Sequence, residues 1–279
     1  GLERGNSARK SLDIIINLLE KFGQGGGCAY NDPSCMYHNS FIIADPNEAY
    51  VLETADKWWI VEKIKSVRSI SNDISIRGKG DIRRKGIIQH AIEKGYCKDD
   101  NDFDFAYTFS GSSISIKPSP YSRGGKSTLL LNKNVGNITP QMMMEFLREH
   151  QAGICMHGGF ESTGSQVSHL RDEENSIHWF TGSTLPCVSI YKPYAFPIDS
   201  QKYYTPGPYL AINHDWFWYK HAISKPLGKI NQIRNMERAI IDKVNTLISQ
   251  ENEFSKEEFI QKIRILNLKA WNKSNEIIN

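Results

Sequence analysis

The stretch Phe41-Ile42-Ile43-Ala44-Asp45-Pro46-Asn47-Glu48-Ala49-Tyr50-Val51-Leu52-Glu53 decides the fold class. Two short runs rich in β-branched and aromatic residues flank an Asp-Pro-Asn cluster, which favours a turn. The pattern predicts two antiparallel strands joined by a tight turn. Trp58-Trp59-Ile60-Val61 and Val67-Arg68-Ser69-Ile70 predict two further strands of the same meander. Apolar residues fall on both faces in places, so this sheet is expected to be covered on both sides.

Toward the N-terminus, Asn6 or Ser7 can cap a helix that runs to about Phe22, where Gly23 stops it. Leu12, Ile15, Ile16, Leu19 and Phe22 share one face of it. The glycines at 25–27 form a turn, and Cys28 to Tyr37 reads as loop. Toward the C-terminus, Asp81 to Lys94 has helical spacing, Lys98 to Asp104 is an acidic loop, and Pro118 to Lys126 is a turn leading into a helix. Thr139-Pro140 starts another helix. Short strands are predicted at Ile154–Met156, Ser165–Leu170, His178–Thr181 and Val188–Tyr191, and from about Asn213 the chain reads as helix. The order helix, sheet, helices, sheet, helices is an α+β pattern. It divides into a core over 1–212 and a helical C-terminal extension over 213–279 that packs on it.

The 279 residues are 39% hydrophobic, enough for a sizeable core. Thirty-four basic and 31 acidic residues are interspersed, leaving a net charge of +3. That balance offers no electrostatic footprint for nucleic acid or an anionic membrane. No apolar run is long enough to span a bilayer. Five scattered cysteines do not read as a disulfide framework and point to a reducing, cytoplasmic compartment.

Several segments together resemble the secernins, in the dipeptidase branch of the N-terminal-nucleophile hydrolases. They are Gly1-Leu2-Glu3-Arg4-Gly5 through Leu18-Leu19-Glu20 to Gly23-Gln24-Gly25-Gly26, Tyr37-His38-Asn39-Ser40 through Asp45-Pro46, and Val51-Leu52-Glu53-Thr54. Val67 to Asn72, Ile74-Ser75-Ile76, His178-Trp179-Phe180-Thr181-Gly182, Pro186-Cys187 and Lys192-Pro193 continue the match to about Ile198. The resemblance implies two stacked antiparallel sheets with helices outside, a four-layer αββα sandwich. It also implies a cysteine at the mature N-terminus that attacks an amide, with its own α-amine as base. Residue 1 here is Gly, so the segment carrying that cysteine is expected ahead of this chain and the sandwich is expected to be incomplete at its N-terminus.

The same resemblance marks Asn72, whose side-chain amide would donate to the tetrahedral oxyanion. Read by itself, Asn72-Asp73 is a turn between strands. Arg123, in Tyr121-Ser122-Arg123, is similar to a Ser-Arg of the bile-salt-hydrolase relatives, where it would lower the nucleophile's pKa and hold a substrate carboxylate. Read by itself, it is a solvated loop arginine. Cys28 would become a new N-terminal cysteine after cleavage behind Gly27, but the family match runs across that point. Cys28, Cys35 and His38 fit no standard zinc spacing, and Cys155 with His157 and His178 reads as buried packing rather than a Cys–His dyad. Asp45 reads as a turn cap and Glu53 as a rim charge; either could instead hold a substrate amine. Trp58-Trp59 and Trp216 to Tyr219 read as packing residues. No metal or cofactor is expected.

The resemblance therefore implies a cysteine-type dipeptidase acting on a dipeptide or small amide, complete only with its front segment. The alternative is a catalytically inactive secernin working through partners in regulated exocytosis, with a homo-oligomer as a further expectation.

Overall fold

The computed structural model describes residues 1–24, 27, 32, 38–110, 118–171, 175–196 and 216–278. Cys28, Cys35 and the 212/213 boundary lie outside these residues. The architecture is α+β, with two antiparallel sheets. The chain forms two compact units, Gly1–Val135 and Gly136–Asn279, a different cut from the one read from the sequence.

The first unit opens with α1 (Ala8–Phe22), capped by the Ser7 hydroxyl, which accepts from the Lys10 amide, and ended at Gly23. A four-stranded meander follows in the order β1 (Ser40–Ala44), β2 (Ala49–Ala55), β3 (Trp58–Lys63), β4 (Ile82–Arg83). The register pairs Ile42 with Val51, Leu52 with Val61, and Val61 with Ile82. The alternating faces of β2 and β3 go to different cores. Tyr50, Leu52, Trp59 and Val61 pack with Ala8, Leu12 and Leu19 of α1. Val51, Ala55 and Ile60 pack with Ile74, Ile76, Phe103, Phe105 and, from α2 (Ile87–Glu93), Ile87 and Ala91. The sheet is thus covered on both sides, as its apolar pattern predicts. Each fully buried aliphatic side chain here contributes about 1.5–3 kcal/mol.

Two expected elements differ. Val67–Ile70 joins no ladder; it is tied instead through the Arg68 side chain, which donates to Glu62, the Ser69 carbonyl and Ser75. Residues 81–94 are not one helix: Ile82 and Arg83 pair with β3, and α2 starts only after Gly86, whose φ of 84° a side chain would resist. The unit closes with α3 (Phe105–Ser110) and α4 (Arg123–Lys133).

The second unit begins with α5 (Pro140–Phe146), capped by Thr139. Its sheet has the order β5 (Gln166–His169), β6 (Ile177–Phe180), β7 (Lys192–Tyr194). The expected strand at Ile154–Met156 is irregular chain. The one at Val188–Tyr191 is replaced by a 3₁₀ turn, Pro186–Val188, because Pro186 brings a fixed φ and no N–H to donate to a ladder. Helices α6 (Phe217–Ser224), α7 (Ile230–Ser249) and α8 (Lys256–Ile278) complete the unit. Ile233, Ile240, Val244, Phe259, Ile263 and Ala270 share one core with Val167, Ile177 and Trp179 of the sheet, so the described part of the C-terminal helices packs on that sheet. Among the described residues no helix is long and apolar enough to cross a membrane.

Candidate functional site

In the first unit, Glu53 organises the site region. It is fully buried on β2, not at a rim. Its carboxylate accepts from the Ser75 amide at 2.7 Å, the Ser75 hydroxyl at 2.7 Å and the Ile76 amide at 2.8 Å. A buried carboxylate needs such donors, and a segment without a ladder needs an acceptor. The pairing staples Ser75 and Ile76 onto the sheet, and Asn72 lies on the exposed bend just before them.

Helix α4 meets that bend from the other side. The Ser122 hydroxyl caps it by accepting from the Gly125 amide. Ser69 and Ser127 share a 2.5 Å hydroxyl contact. A Cβ on Gly124 would lie 3.3 Å from Ser71 Cβ, so this glycine eases the approach to the bend; one on Gly125 would collide with the Ser119 carbonyl, so Gly125 lets the preceding turn fold onto the helix start. Arg123, the first residue of α4, donates from Nη2 to Asn72 Oδ1. The sequence reading left Arg123 in a loop; the serine cap makes it helical. A guanidinium in the first helical turn runs against the helix dipole, so its place is explained by its partners rather than by helix stability. Guanidinium groups only donate, so Asn72 must turn its oxygen toward Arg123, leaving its NH2 to donate elsewhere. Two expected site residues, 51 positions apart, are therefore in contact.

In the second unit, of the three residues read as buried packing, Cys155 is buried, His178 half-buried and His157 exposed, and His178 lies apart from the other two. His178 Nδ1 lies 2.9 Å from the Ser168 hydroxyl, and its ring packs edge-on against Phe196. Instead His150, Cys155, His157 and Cys187 converge, with one donor atom from each within 4.8 Å of every other. His157 Nε2 is 3.6 Å from Cys155 Sγ and 3.3 Å from Cys187 Sγ. The His150 and His157 rings meet edge to face at 5.0 Å. Both cysteines are buried and free of disulfides, and both histidines are exposed.

The loop at 148–162 is tied to the 184–188 turn by other bonds. The Leu185 amide donates to the Ser162 carbonyl at 2.7 Å, and Arg148 Nε donates to the Pro186 carbonyl at 3.0 Å. Leu185 is buried with φ at 56°, a costly conformation for a branched side chain, two residues before Cys187. A hydrogen bond from the Cys187 thiol pulls Cys155 down to about 5 against the effect of burial, and His150 and His157 add to the pull. Cys187 moves up, because it is held by that same bond and by burial. The pair thus gives up one proton easily and the second reluctantly.

The remaining expectations resolve simply. Asp45 is a turn cap: its carboxylate accepts from the Ala8 amide at 2.7 Å and the Asn47 amide at 2.8 Å. Trp58 stacks on His90, Trp59 Nε1 donates to Glu20, and Phe217 packs on Trp271.

No family model and no solved structure matches the chain significantly.

Proposed function

We propose that this chain belongs to a secernin-like cysteine dipeptidase, with Asn72 as oxyanion donor and Arg123 as the group that orients it and attracts a substrate carboxylate. The observation that carries the reading is the Arg123–Asn72 hydrogen bond. It joins the two residues that the family resemblance marks independently, and it leaves the amide NH2 free to face developing negative charge. The stacking of the two sheets into a four-layer sandwich, a cytoplasmic location and an N-terminal cysteine nucleophile with a free α-amine belong to the same reading. In the reaction the α-amine would take the thiol's proton, the thiolate would add to the scissile carbonyl while Asn72 donates to the oxyanion, and the ammonium would pass that proton to the leaving amine as the C–N bond breaks. Water, deprotonated by the same amine, would then cleave the thioester and restore the thiol.

The test is dipeptide hydrolysis by the protein in its natural length, after its first residue has been read by N-terminal sequencing. Asn72→Ala should cut kcat by about a hundredfold or more, with a smaller change in KM. Arg123→Gln should raise KM for free dipeptides more than for their amides, because the amides lack the carboxylate. No hydrolysis by a natural protein beginning with cysteine would sink the enzyme reading. It would leave the second one, a secernin without catalysis that acts through exocytosis partners, which the surface exposure of Asn72 would also allow.

A further inference from the structure

We propose that His150, Cys155, His157 and Cys187 form a four-coordinate zinc site that clamps the irregular chain at 148–162 to the turn at 186–188. This inference does not depend on the dipeptidase reading, since all four residues belong to the second unit.

The first ground is geometric. His157 Nε2 faces two sulfur atoms at once, at 3.3 and 3.6 Å. A ring nitrogen has either one proton or one lone pair, so it can complete a hydrogen bond with only one of them. Two sulfurs and an imidazole nitrogen this close, with His150 joining them, are better served by a cation between them. With zinc–sulfur bonds of about 2.3 Å and zinc–nitrogen bonds of about 2.0–2.1 Å, a tetrahedral sulfur–nitrogen edge is about 3.6 Å long. The two observed separations lie close to that edge. The 4.8 Å limit on every pair leaves only a small inward movement for the rest.

The second ground is charge. Two thiolates and two neutral imidazoles neutralise a divalent ion. A divalent cation is what holds both thiols of such a set as thiolates. Arg234 Nη2 donates to the Cys187 carbonyl at 2.6 Å and so fixes the backbone that carries the second sulfur.

The third ground is the donor set. Soft thiolates with imidazoles select zinc over the hard cations, and four protein ligands leave no open position, which is the pattern of a structural site. The exposed imidazoles provide the access route for the ion, and the buried sulfurs exclude water from behind it. Strain at Leu185, which aims Cys187 at the loop, is the kind of local cost that a bound ion offsets.

The test is a cobalt(II) titration of the metal-stripped, reduced full chain, followed by displacement with zinc. The expected result is one equivalent bound, with the visible absorption of a tetrahedral site, a thiolate-to-cobalt charge-transfer band, and loss of both on adding zinc. His150→Ala, at an exposed position that should not disturb folding, should weaken zinc binding by at least about tenfold. Cys155→Ser should remove most of the charge-transfer band. Zinc should also raise the melting temperature of the wild-type chain and not of Cys155→Ser. The proposal is overturned if the reduced chain shows no thiolate–cobalt band, if Cys155→Ser binds as well as wild type, or if His150→Ala leaves affinity unchanged. A Cys155–Cys187 disulfide whose reduction restores no metal binding would also overturn it and make the pair a redox couple.

Discussion

The two units solve the same problem with different chemistry. Each holds an irregular segment in place with a deeply buried glutamate, Glu53 from strand β2 and Glu237 from helix α7. Glu53 binds its segment with neutral donors only, from Ser75 and Ile76. Glu237 accepts from the Tyr191 amide at 2.9 Å but also from Arg148 at 2.7 Å, and Arg148 in turn grips the Pro186 and Ser189 carbonyls. In the first unit the buried charge is spread over amide dipoles; in the second it is matched by an opposite charge. The difference shows in what each segment presents. Glu53 leaves the bend at Asn72 exposed, whereas the Arg148–Glu237 pair is sealed in, with side-chain exposures of 4% and 3%.

The comparison predicts unequal damage. Glu237→Ala should cost about 3–5 kcal/mol, because it removes the buried counter-charge of Arg148 and leaves only the exposed Glu145 to pair with it, and a denaturant midpoint followed by tryptophan fluorescence measures it. A loss under 1 kcal/mol would mean that Arg148 finds water, and the contrast between the units would fail. Glu53→Gln keeps the shape but turns an NH2 toward two backbone N–H groups; it should cost about 1–3 kcal/mol. It should also lower dipeptide hydrolysis beyond what its stability loss explains, since it loosens the bend that carries Asn72, whereas Glu237→Ala should not.

Lys192 sharpens the contrast through pH. It is fully buried, and burial brings it down to about 7, although the Thr181 and Ile190 carbonyls and the face of Trp271 favour its charge. The unfolded lysine titrates at about 10.4, so between the two values the unfolded chain binds more protons and stability rises with pH. Lys192→Met should flatten that rise in a pH series of melting curves; an unchanged slope would assign it elsewhere. The smallest effect belongs to Asp45, whose carboxyl the Ala8 amide holds below its ordinary value. Its contribution is present above the unfolded value and is lost as pH falls through the folded one. Asp45→Asn should cost about 1 kcal/mol near neutrality and weaken that acid dependence.

What could be read from the sequence follows the range of the interactions. The hairpin from Phe41 to Glu53 and the Ser7 and Thr139 caps depend on neighbours a few residues away, and the apolar run of β2 marks its two-sided burial although its partners are distant; all are legible. Val67–Ile70 has the composition of a strand but is diverted by the side chain of Arg68 and a carboxylate on β2. Ile82 fits a helical face equally well and is claimed by β3. The Cys155-x-His157 pair was visible, but His150 and Cys187 join it only because the 184–188 turn folds back onto the loop. His178, weighed beside that pair and set aside, sits on β6 within reach of the Ser168 hydroxyl. The pairing of Arg123 with Asn72 likewise rests on a glycine-enabled approach that spacing does not encode.

The Glu53 staple also has a consequence on the timescale of solvent exchange. The Ser75 and Ile76 amides belong to no strand, yet their hydrogens point at a fully buried carboxylate. In deuterated buffer they should exchange as slowly as the central amides of β2, and in Glu53→Gln they should exchange like the loop in which they lie.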